Sequence, residues 1–521
     1  MRNLLAFVVA TSTLLNACSD DGGGGGSNDG GPGTGGSTAS GGSSSGGKAG
    51  SSSGGGGASS TGGNASSSGG AATGGASGDT DASTGEAADA GGDADSGASS
   101  RQFTVTLENV ATAKQFTSGG IFNTPVGASA PGAITPGTKY EFTVDAGRKQ
   151  KLSFVTMLAA TNDLFFGPNG DGIALYDQNG APISADVTAQ IHLWDAGTEI
   201  NEEPHVGPNT VTQQPAPNTG PAENGNVIDI KDSTTDTFKY PSVADVLKVT
   251  VTHMTGTLFK VSLENVSTDM ALKTSAGNFP APMSPGVWVV HGGADPLFTV
   301  GKKDRGLGLE HIAEDGDPTV LGAYVAANAG ITYPASPGVW VVHNAGARPL
   351  FTTGTADYGD GLEHIAEDGN PSVLGSALTT LDGGITAAVF NTPTGAAGPG
   401  PILPGAKYQF TFTASPGDAL SFATMLAATN DVFFGPKDTG IALFDASNKP
   451  LTGDITAQIS LWDCGTEGNE EPGIGPNTVT NQLTPDTGAP GEGMVQLLSK
   501  VNDGYTYPAV DSVLKVTVTA Q

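Results

Sequence analysis

Two acidic motifs in this chain have the residue types and the spacing to share one ion. The first, TMLAATNDLFFG, places Asp163 at the end of an apolar run. The second, LWDAGTEINEEP, carries Asp195 and Glu199 in the pattern Asp-x-x-x-Glu. Calcium and other hard cations take several oxygen ligands, mostly from carboxylates and carbonyls. The motifs therefore predict a cation site, with one alternative: Asp residues that form turns and cap local backbone.

Both motifs return later in the chain, as TMLAATNDVFFG and LWDCGTEGNEEP. The second copy contains Asp431, Asp463 and Glu467. Asp163 and Asp195 are 32 residues apart, and so are Asp431 and Asp463. The repeated spacing predicts two equivalent sites, and calcium is the expected ion.

The composition restricts the classes of partner. The 521 residues include 52 Asp and Glu against 22 Lys and Arg, a formal charge of −30. Such a surface repels phosphate backbones, which argues against nucleic-acid binding, and it suits cation binding or solubility. The two cysteines, Cys18 and Cys464, are far apart, and the first lies in the leader, so we expect no structural disulfide within the chain.

The first hundred residues resemble an export signal followed by a tether. Residues 4–15 are apolar, a run too short to span a bilayer and typical of a secretory signal. The run leads to Leu-Asn-Ala-Cys18, which resembles a bacterial lipobox and predicts a signal peptide at 1–17 and a lipid on Cys18. Ordinary signal-peptide cleavage beside an incidental cysteine is the alternative. Residues 18–100 are rich in Gly and Ser and are predicted to be a disordered linker.

Beyond residue 101 the chain predicts an all-β fold. Phe-Thr-Val-Thr-Leu-Glu-Asn-Val at 103–110 alternates with period two and returns at 259–266, and further strand-like segments recur between Pro, Gly and Asn turns. This pattern of short strands separated by turns favours antiparallel β-sandwiches. Only 307–327 and its repeat at 361–381 have a helical pattern, which predicts a short helical insertion.

The repeat predicts two domains of unequal content. We place the first at 101–254 and the second at 257–521. A unit beginning Ser-Pro-Gly-Val-Trp-Val-Val-His occurs at 284–330 and again at 336–384, so the second domain has two such units and the first has none. Either one unit, more readily 284–330, packs on the first domain and interlocks the two, or the spare unit is a decoration of the second domain.

The ordered motifs resemble a known family. In sequence they are Ser-Pro-Gly-Val-Trp-Val-Val-His, Pro-Leu-Phe, Leu-x-x-Ile-Ala-Glu-Asp-Gly, Asn-Asp-x-Phe-Phe-Gly and Trp-Asp-x-Gly-Thr-Glu. This order is similar to the spondin N-terminal domain, named for F-spondin of the extracellular matrix and also present in secreted bacterial proteins. The resemblance covers nearly all of 101–521. It implies an antiparallel β-sandwich with one calcium ion in each copy.

The resemblance also implies the ligand positions. The family's calcium carboxylates correspond to Asp163, Asp195 and Glu199 in the first copy. The equivalent residues of the second copy are Asp431, Asp463 and Glu467. The chain departs from the family pattern by Asn before the first Asp of each set and by Glu in place of its final Asp.

Other polar motifs give weaker signals. His311 and Glu314 lie three residues apart and could face one metal, but no third ligand is near them in sequence. His291 and His343 end apolar runs, as buried structural histidines do. No nucleophile elbow, zinc-protease motif or phosphate loop is present.

We therefore expect a non-enzymatic, calcium-binding, lipid-anchored protein of a bacterial outer membrane or cell surface. Adhesion or interaction with extracellular matrix is the expected function, with an extracellular protein or glycan as ligand. One alternative is a calcium-dependent module that binds lipid headgroups or glycans. The other is a hydrolase of a class that the motifs do not identify.

Overall fold

The computed structural model describes residues 99–381 and 384–521. The predicted signal peptide, Cys18 and nearly all of the predicted linker lie outside the described residues. In the described ranges most regular structure is antiparallel strand with few short helices, which confirms the predicted fold class. No helix among these residues has the length and apolar character needed to cross a membrane.

The described residues contain twenty-four strands and six short α-helices. The first fourteen strands are β1 (Arg101–Asn109), β2 (Ser118–Phe122), β3 (Lys139–Asp145), β4 (Lys151–Leu158), β5 (Leu164–Pro168), β6 (Ile173–Ala174), β7 (Ala185–Asp186), β8 (Ile191–Asp195), β9 (Ile228–Asp229), β10 (Leu247–Thr255), β11 (Leu258–Asn265), β12 (Leu272–Thr274), β13 (Gly277–Phe279) and β14 (Met283–His291). The other ten are β15 (Ala335–Asn344), β16 (Thr386–Phe390), β17 (Lys407–Ala414), β18 (Asp418–Leu426), β19 (Val432–Pro436), β20 (Ile441–Ala442), β21 (Gly453–Asp454), β22 (Ile459–Asp463), β23 (Gln496–Leu497) and β24 (Leu514–Ala520). The helices are α1 (Val243–Val246), α2 (Leu309–Asp315), α3 (Thr319–Asn328), α4 (Leu362–Asp368), α5 (Ser372–Leu378) and α6 (Val510–Val513).

The strands form two sandwiches of the same design. The first sandwich packs the sheet β3-β11-β10-β7 on the sheet β2-β14-β4-β5-β8-β9, with Phe154 and Val261 in the shared core. The second sandwich packs β17-β1-β24-β21 on β16-β15-β18-β19-β22-β23, with Phe103 and Phe422 in its core. Each larger sheet also carries a short edge pairing, β6 on β4 and β20 on β18.

Helices cover the outer face of each larger sheet. In the first sandwich, Leu309 and Ile312 of α2 pack with Val155 and Phe165, which point away from the core between the sheets. Helices α4 and α5 cover the second sandwich in the same way. The larger sheets are therefore apolar on both faces, which explains why β4 and β18 are buried along nearly their whole length.

The first strand of the chain belongs to the second sandwich. β1 pairs with β17 on one side and with β24 on the other, and its inward side chains Phe103, Val105 and Leu107 are fully buried. The equivalent strand of the first sandwich is β11, which lies between β3 and β10. Asn109 and Asn265 end these two strands alike, each donating its amide to two backbone carbonyls.

The pairing therefore divides the chain differently from the contiguous prediction of 101–254 and 257–521. The first sandwich runs from β2 to α3, and the second consists of β1 together with β15 to β24. The physical reason is the tight turn at Gly256 and Thr257, which holds β11 beside β10. Gly256 has a φ of 54°, in the left-handed region that glycine tolerates best.

The repeated units are shared one to each sandwich. β14, from the unit 284–330, lies between β2 and β4, and Trp288 stacks on Phe142 with ring centroids 5.5 Å apart. β15, from the unit 336–384, lies between β16 and β18. The structure thus supports the interlocking hypothesis over the decoration hypothesis.

The first sandwich is an insertion between β1 and β15 of the second. The two ends of the insertion lie side by side, because the Lys114 amide donates to Thr332 Oγ1 (2.8 Å) and the Gln115 amide to the Asn328 carbonyl (3.0 Å). A chain that leaves the second sandwich after β1 therefore returns to it at nearly the same point.

Candidate metal centre

Strand register brings the acidic motifs together. β5 starts directly after Asp163 and β8 ends at Asp195, and Leu164 is paired with Asp195 across these two strands. In the second sandwich, Val432 is paired with Asp463 across β19 and β22. The spacing of 32 residues is thus the length of chain needed to return from one strand to its neighbour.

The turn after β8 wraps around Asp163. The backbone amide of Thr198 donates to Asp163 Oδ2 (2.9 Å), its hydroxyl donates to Oδ1 (2.6 Å), and the Glu199 amide donates to Oδ2 (3.1 Å). Asp195 Oδ1 accepts from the amide of Gly197 (2.8 Å). The alternative hypothesis, that these Asp residues cap the local backbone, therefore explains part of their contacts. Asp431 has similar contacts in the second sandwich.

Glu199 is held close to the same turn. Its Oε2 accepts from the Asn162 side chain (3.2 Å), and a Cβ at Gly220 would lie only 2.0 Å from that oxygen. A larger residue at 220 would therefore displace the carboxylate of Glu199 from this position. Glu467 accepts from Asn430 in the same way (3.1 Å).

The structure adds a buried carboxylate from the covering helix of each sandwich. Glu314 on α2 is 5% exposed and Glu367 on α4 is 4% exposed. The Thr198 hydroxyl lies near Glu314, but its single proton goes to Asp163. Among the described residues no basic side chain forms an ion pair with either glutamate, and the hydroxyl near Glu367, that of Thr466, likewise donates to Asp431. The sequence feature that indicates these two glutamates is the duplicated Leu-Glu-His-Ile-Ala-Glu-Asp-Gly. The Leu, Ile, Ala and second Glu of this motif are buried on the same face of the helix.

The pairing of His311 with Glu314 does not form a site. His311 has a side chain about one-third exposed, and its Nε2 lies 3.9 Å from Glu310, its half-buried neighbour in the chain. Glu314 instead faces the turn after β8, because both Asp163 and Glu199 act on its charge.

Five carboxylates surround that turn in each sandwich. We name as the first acid cluster Asp163, Asp195, Glu199, Glu223 and Glu314. We name as the second acid cluster Asp431, Asp463, Glu467, Asp486 and Glu367.

The closest oxygens differ between the two clusters. In the first, one oxygen each of Asp163, Asp195 and Glu223 lies within 4.8 Å of the others, and the backbone amide of Glu199 donates to Asp163. In the second, the corresponding trio is Glu367, Glu467 and Asp486, beside Asp431 and Asp463. Of the six predicted ligands, these trios contain Asp163, Asp195 and Glu467. Neither trio equals a predicted set, and the acids that the sequence did not predict are Glu223, Asp486, Glu314 and Glu367.

Burial makes these clusters costly without a cation. It raises the pKa of Asp163 and Asp431 well above the usual range, and it raises the pKa of Glu314 and Glu367 to about 7. Within 99–381 and 384–521, no Lys, Arg or His forms an ion pair with any carboxylate of either cluster. Buried charges are normally paired or bound to a metal.

A buried amide oxygen without a hydrogen-bond donor also favours a cation at each cluster. Asn201 donates its amide to Asp195 (2.7 Å), while its Oδ1 is buried and has no donor among the described residues. Asn469 repeats both features beside Asp463. A ligand set made only of carboxylate and amide oxygens fits a hard cation. Each cluster could thus hold a metal ion.

His291 and His343 are structural. His291 Nε2 bonds to Ser153 Oγ (2.9 Å) and its Nδ1 bonds to the Gly293 carbonyl (2.6 Å), and the ring is buried. His343 makes equivalent bonds to Ser421 and Asn344. Burial lowers the pKa of both rings. These are satisfied buried histidines, as their sequence positions suggested.

A scan against protein-family models finds no match for this chain, and a search of curated proteins finds none either. The likeness to spondin domains therefore rests on the ordered motifs.

Proposed function

We propose that this chain is a non-enzymatic, calcium-binding lipoprotein of the cell surface that acts in adhesion or matrix interaction through two spondin-like sandwiches. The observation that carries the proposal is the pair of buried acid clusters, neither of which has a basic partner among the described residues. Buried acids gather around the same turn in both sandwiches, although the closest trios differ. Their burial distinguishes them from the exposed acidic groups that often gather without binding a metal.

Calcium is the proposed ion because of the ligand chemistry. Every available ligand atom is oxygen, and no cluster contains a His or Cys ligand of the kind that favours zinc. Bound calcium would offset the charge of carboxylates just before β5, at the end of β8 and on α2, and so tie the covering helix to the larger sheet. In the second sandwich the same link would join β19, β22 and α4.

Attachment to the membrane is proposed from Cys18. A lipid on this residue, followed by the Gly- and Ser-rich stretch to residue 100, would place both sandwiches away from the bilayer. The partner is then an extracellular protein or glycan, and the acidic surface makes nucleic acid a poor ligand.

Calorimetric titration of the full chain with calcium tests the proposal. We expect two ions for each chain and one ion after Asp195→Asn or Glu314→Gln. Asp171→Asn is the matched control, because Asp171 is exposed and outside both clusters. Glu314→Gln keeps the shape of the side chain, which guards against a fold defect. Absence of calcium binding to the folded protein would contradict the proposal.

A further inference from the structure

The first sandwich is held against one loop of the second. We name residues 468–485, which lie between β22 and β23, the docking loop. The Gln150 side-chain amide donates to the Gly473 carbonyl (2.8 Å), and the Arg148 guanidinium donates to the Pro476 carbonyl (3.1 Å). Both donors belong to the turn between β3 and β4. The placement of this turn therefore depends on the docking loop.

The boundary between the sandwiches combines close contact with open space. A Cβ at Gly147 would collide with the Asn481 side chain, and a Cβ at Gly473 would lie 2.8 Å from Ile331. Beside these contacts is a cleft of about 390 Å³ with walls from both sandwiches. Among the described residues no buried apolar cluster includes side chains of both sandwiches. Domains without a large apolar interface move relative to one another by default, so the few contacts with the docking loop decide the orientation.

A series of hydrogen bonds links this boundary to the second acid cluster. Asn477, which directly follows Pro476, donates its backbone and side-chain amides to the Glu470 carboxylate (2.6 and 2.7 Å). The Glu470 amide donates to the Asn430 side-chain oxygen (3.0 Å). The Asn430 side-chain amide in turn donates to Glu467 (3.1 Å). A displacement of Glu467 would therefore reach the contacts that hold the first sandwich.

The second acid cluster contains both ends of the docking loop. Glu467 directly precedes the loop and Asp486 directly follows it. Their oxygens lie within 4.8 Å of each other and of an oxygen of Glu367 on α4. Ionised carboxylates at this distance repel one another unless a cation lies between them. A bound ion would thus fasten both ends of the docking loop to α4, and its loss would let them separate.

The equivalent loop of the first sandwich is not at the boundary. Residues 200–217 pack on the hairpin β12–β13 of their own sandwich, where Glu203 accepts from the Ser275 hydroxyl (2.6 Å) and the His205 and Phe279 rings lie 3.8 Å apart. In the described ranges no hydrogen bond joins this loop to the second sandwich. An ion in the first acid cluster would therefore leave the boundary unchanged.

We propose that calcium in the second acid cluster fixes the orientation of the first sandwich, and that its release lets the first sandwich turn about the two crossing segments, 110–117 and 329–334. The proposal rests on the calcium binding proposed above. It assigns a regulatory role to one of the two ions, because only the second ion acts on the boundary between the sandwiches.

Double electron–electron resonance on the full chain tests the proposal. Spin labels are attached at Thr234→Cys in the first sandwich and Ser447→Cys in the second, both exposed and outside the docking loop and the acid clusters. Cys18→Ser and Cys464→Ala remove the native thiols. We expect a narrow distribution of label distances in calcium and a broad one after chelation. Calcium is titrated on the same samples.

Two exposed acids give matched variants, since each belongs to the closest trio of its own cluster. In calcium, Asp486→Asn should broaden the distance distribution and Glu223→Gln should leave it narrow. Equal responses of the two variants, or the reverse order, overturn the proposal. So does calcium binding at two sites with no change in the distribution on chelation, which leaves the proposed function standing. If no calcium binds, both proposals fail.

The effect of the ion on the boundary must be matched by an effect of the boundary on the ion. Arg148→Ala, titrated in a Glu223→Gln background where only the second ion binds, should weaken calcium binding about fivefold. Loss of a positive charge near acids would by itself tighten calcium binding, so weakening identifies the contact with the docking loop. Lys149→Ala is the matched control, because Lys149 is exposed and makes no hydrogen bond to the docking loop among the described residues. Calcium affinity that is unchanged or tighter in Arg148→Ala contradicts the proposal.

Discussion

The two sandwiches have the same architecture but are assembled from the chain in different orders. In the second sandwich, β1 comes first and β24 last, and the start of β1 meets the end of β24 where the Gln521 amide donates to the Gln102 carbonyl (2.9 Å). In the first sandwich the equivalent ends are joined by the turn at Gly256, and the chain instead opens between α3 and β2. The first sandwich is therefore a circular permutation of the second.

This comparison shows which features determine the fold. Strand pattern and burial are conserved between the copies, whereas the order of connection is not. Phe103 and Phe259 occupy equivalent slots, the first against Phe412 and Phe444, the second against Tyr176. A sheet position is filled by whichever segment has the right alternation and can reach it.

The largest expected effect follows from the insertion itself. Residues 112–330 contain every strand and covering helix of the first sandwich, so this segment should fold alone as a monomer. Residues 101–255 lack β11, β14 and α2, which leaves an open sheet and an uncovered apolar face. That segment should be unfolded or aggregated. Circular dichroism and sedimentation check both, and a stable monomer of 101–255 would contradict the strand assignment.

Matched core substitutions should damage opposite sandwiches. Phe103→Ala is expected to destabilise the second sandwich and Phe259→Ala the first, each by about 3–5 kcal/mol, since both rings are fully buried. Hydrogen exchange locates the damage: Phe103→Ala should lower protection in β15 and β18, and Phe259→Ala in β4 and β14. Loss of protection in the same sandwich for both variants would show that β1 and β11 are misassigned.

The class of fold could be predicted from the sequence because the period-two alternation and the turns depend only on residues that are close together in the chain. It could not decide between β1 and β11, because 103–110 and 259–266 have nearly the same pattern and either fits either slot. The spare Trp-containing unit gave the useful clue, since two units for two sandwiches implied sharing. The deciding feature, the short turn at Gly256, acts only once its neighbours are paired in three dimensions.

The sequence likewise predicted only part of the candidate metal site. Asp163 and Asp195 follow from paired strands at a fixed spacing. Glu314 comes from a helix that lies 119 residues beyond Asp195, and its helical pattern indicated burial without showing what it faced. Glu223 lies in an irregular loop, where no periodicity predicts placement.

Removal of calcium should affect both sandwiches. An ion that binds only the folded state stabilises it by about 2.7 kcal/mol at a hundredfold excess over the dissociation constant. Chelator should therefore lower the melting temperature of the full chain. Glu314→Gln should reduce the response of the first sandwich, and Glu367→Gln that of the second. A melting curve that is the same with and without chelator would show that binding is not linked to folding.

Acid should weaken calcium binding in both clusters. Burial raises the pKa of Glu314 and Glu367 to about 7, so protons compete with calcium as the pH falls from 8 towards 6.5.

In the chelated protein, acid has the opposite effect and should stabilise the folded state. The folded state then binds more protons than the unfolded state, and stability should rise over this window. Below 6.5 the lowered pKa of His291 and His343 opposes that gain. Calcium titrations and melts at pH 8 and 6.5 check both signs, and calcium affinity independent of pH would contradict the assignment of these glutamates.

The smallest expected effect concerns the difference between the two copies of Trp-Asp-x-Gly-Thr-Glu, which is Cys464 in place of Ala196. Both side chains are fully buried behind the acid clusters, and burial raises the pKa of the Cys464 thiol, which keeps it protonated. A neutral sulfur is a poor ligand for a hard cation. Cys464→Ala should therefore leave two calcium ions bound and cost about 1 kcal/mol, the effect of removing one buried atom group from a packed core. Ala196→Cys is the reciprocal variant, and a modest cost from overpacking is expected there. Loss of one ion in Cys464→Ala would instead make the thiol part of the second cluster, and the two sandwiches would then differ in their metal chemistry as well as in their strand order.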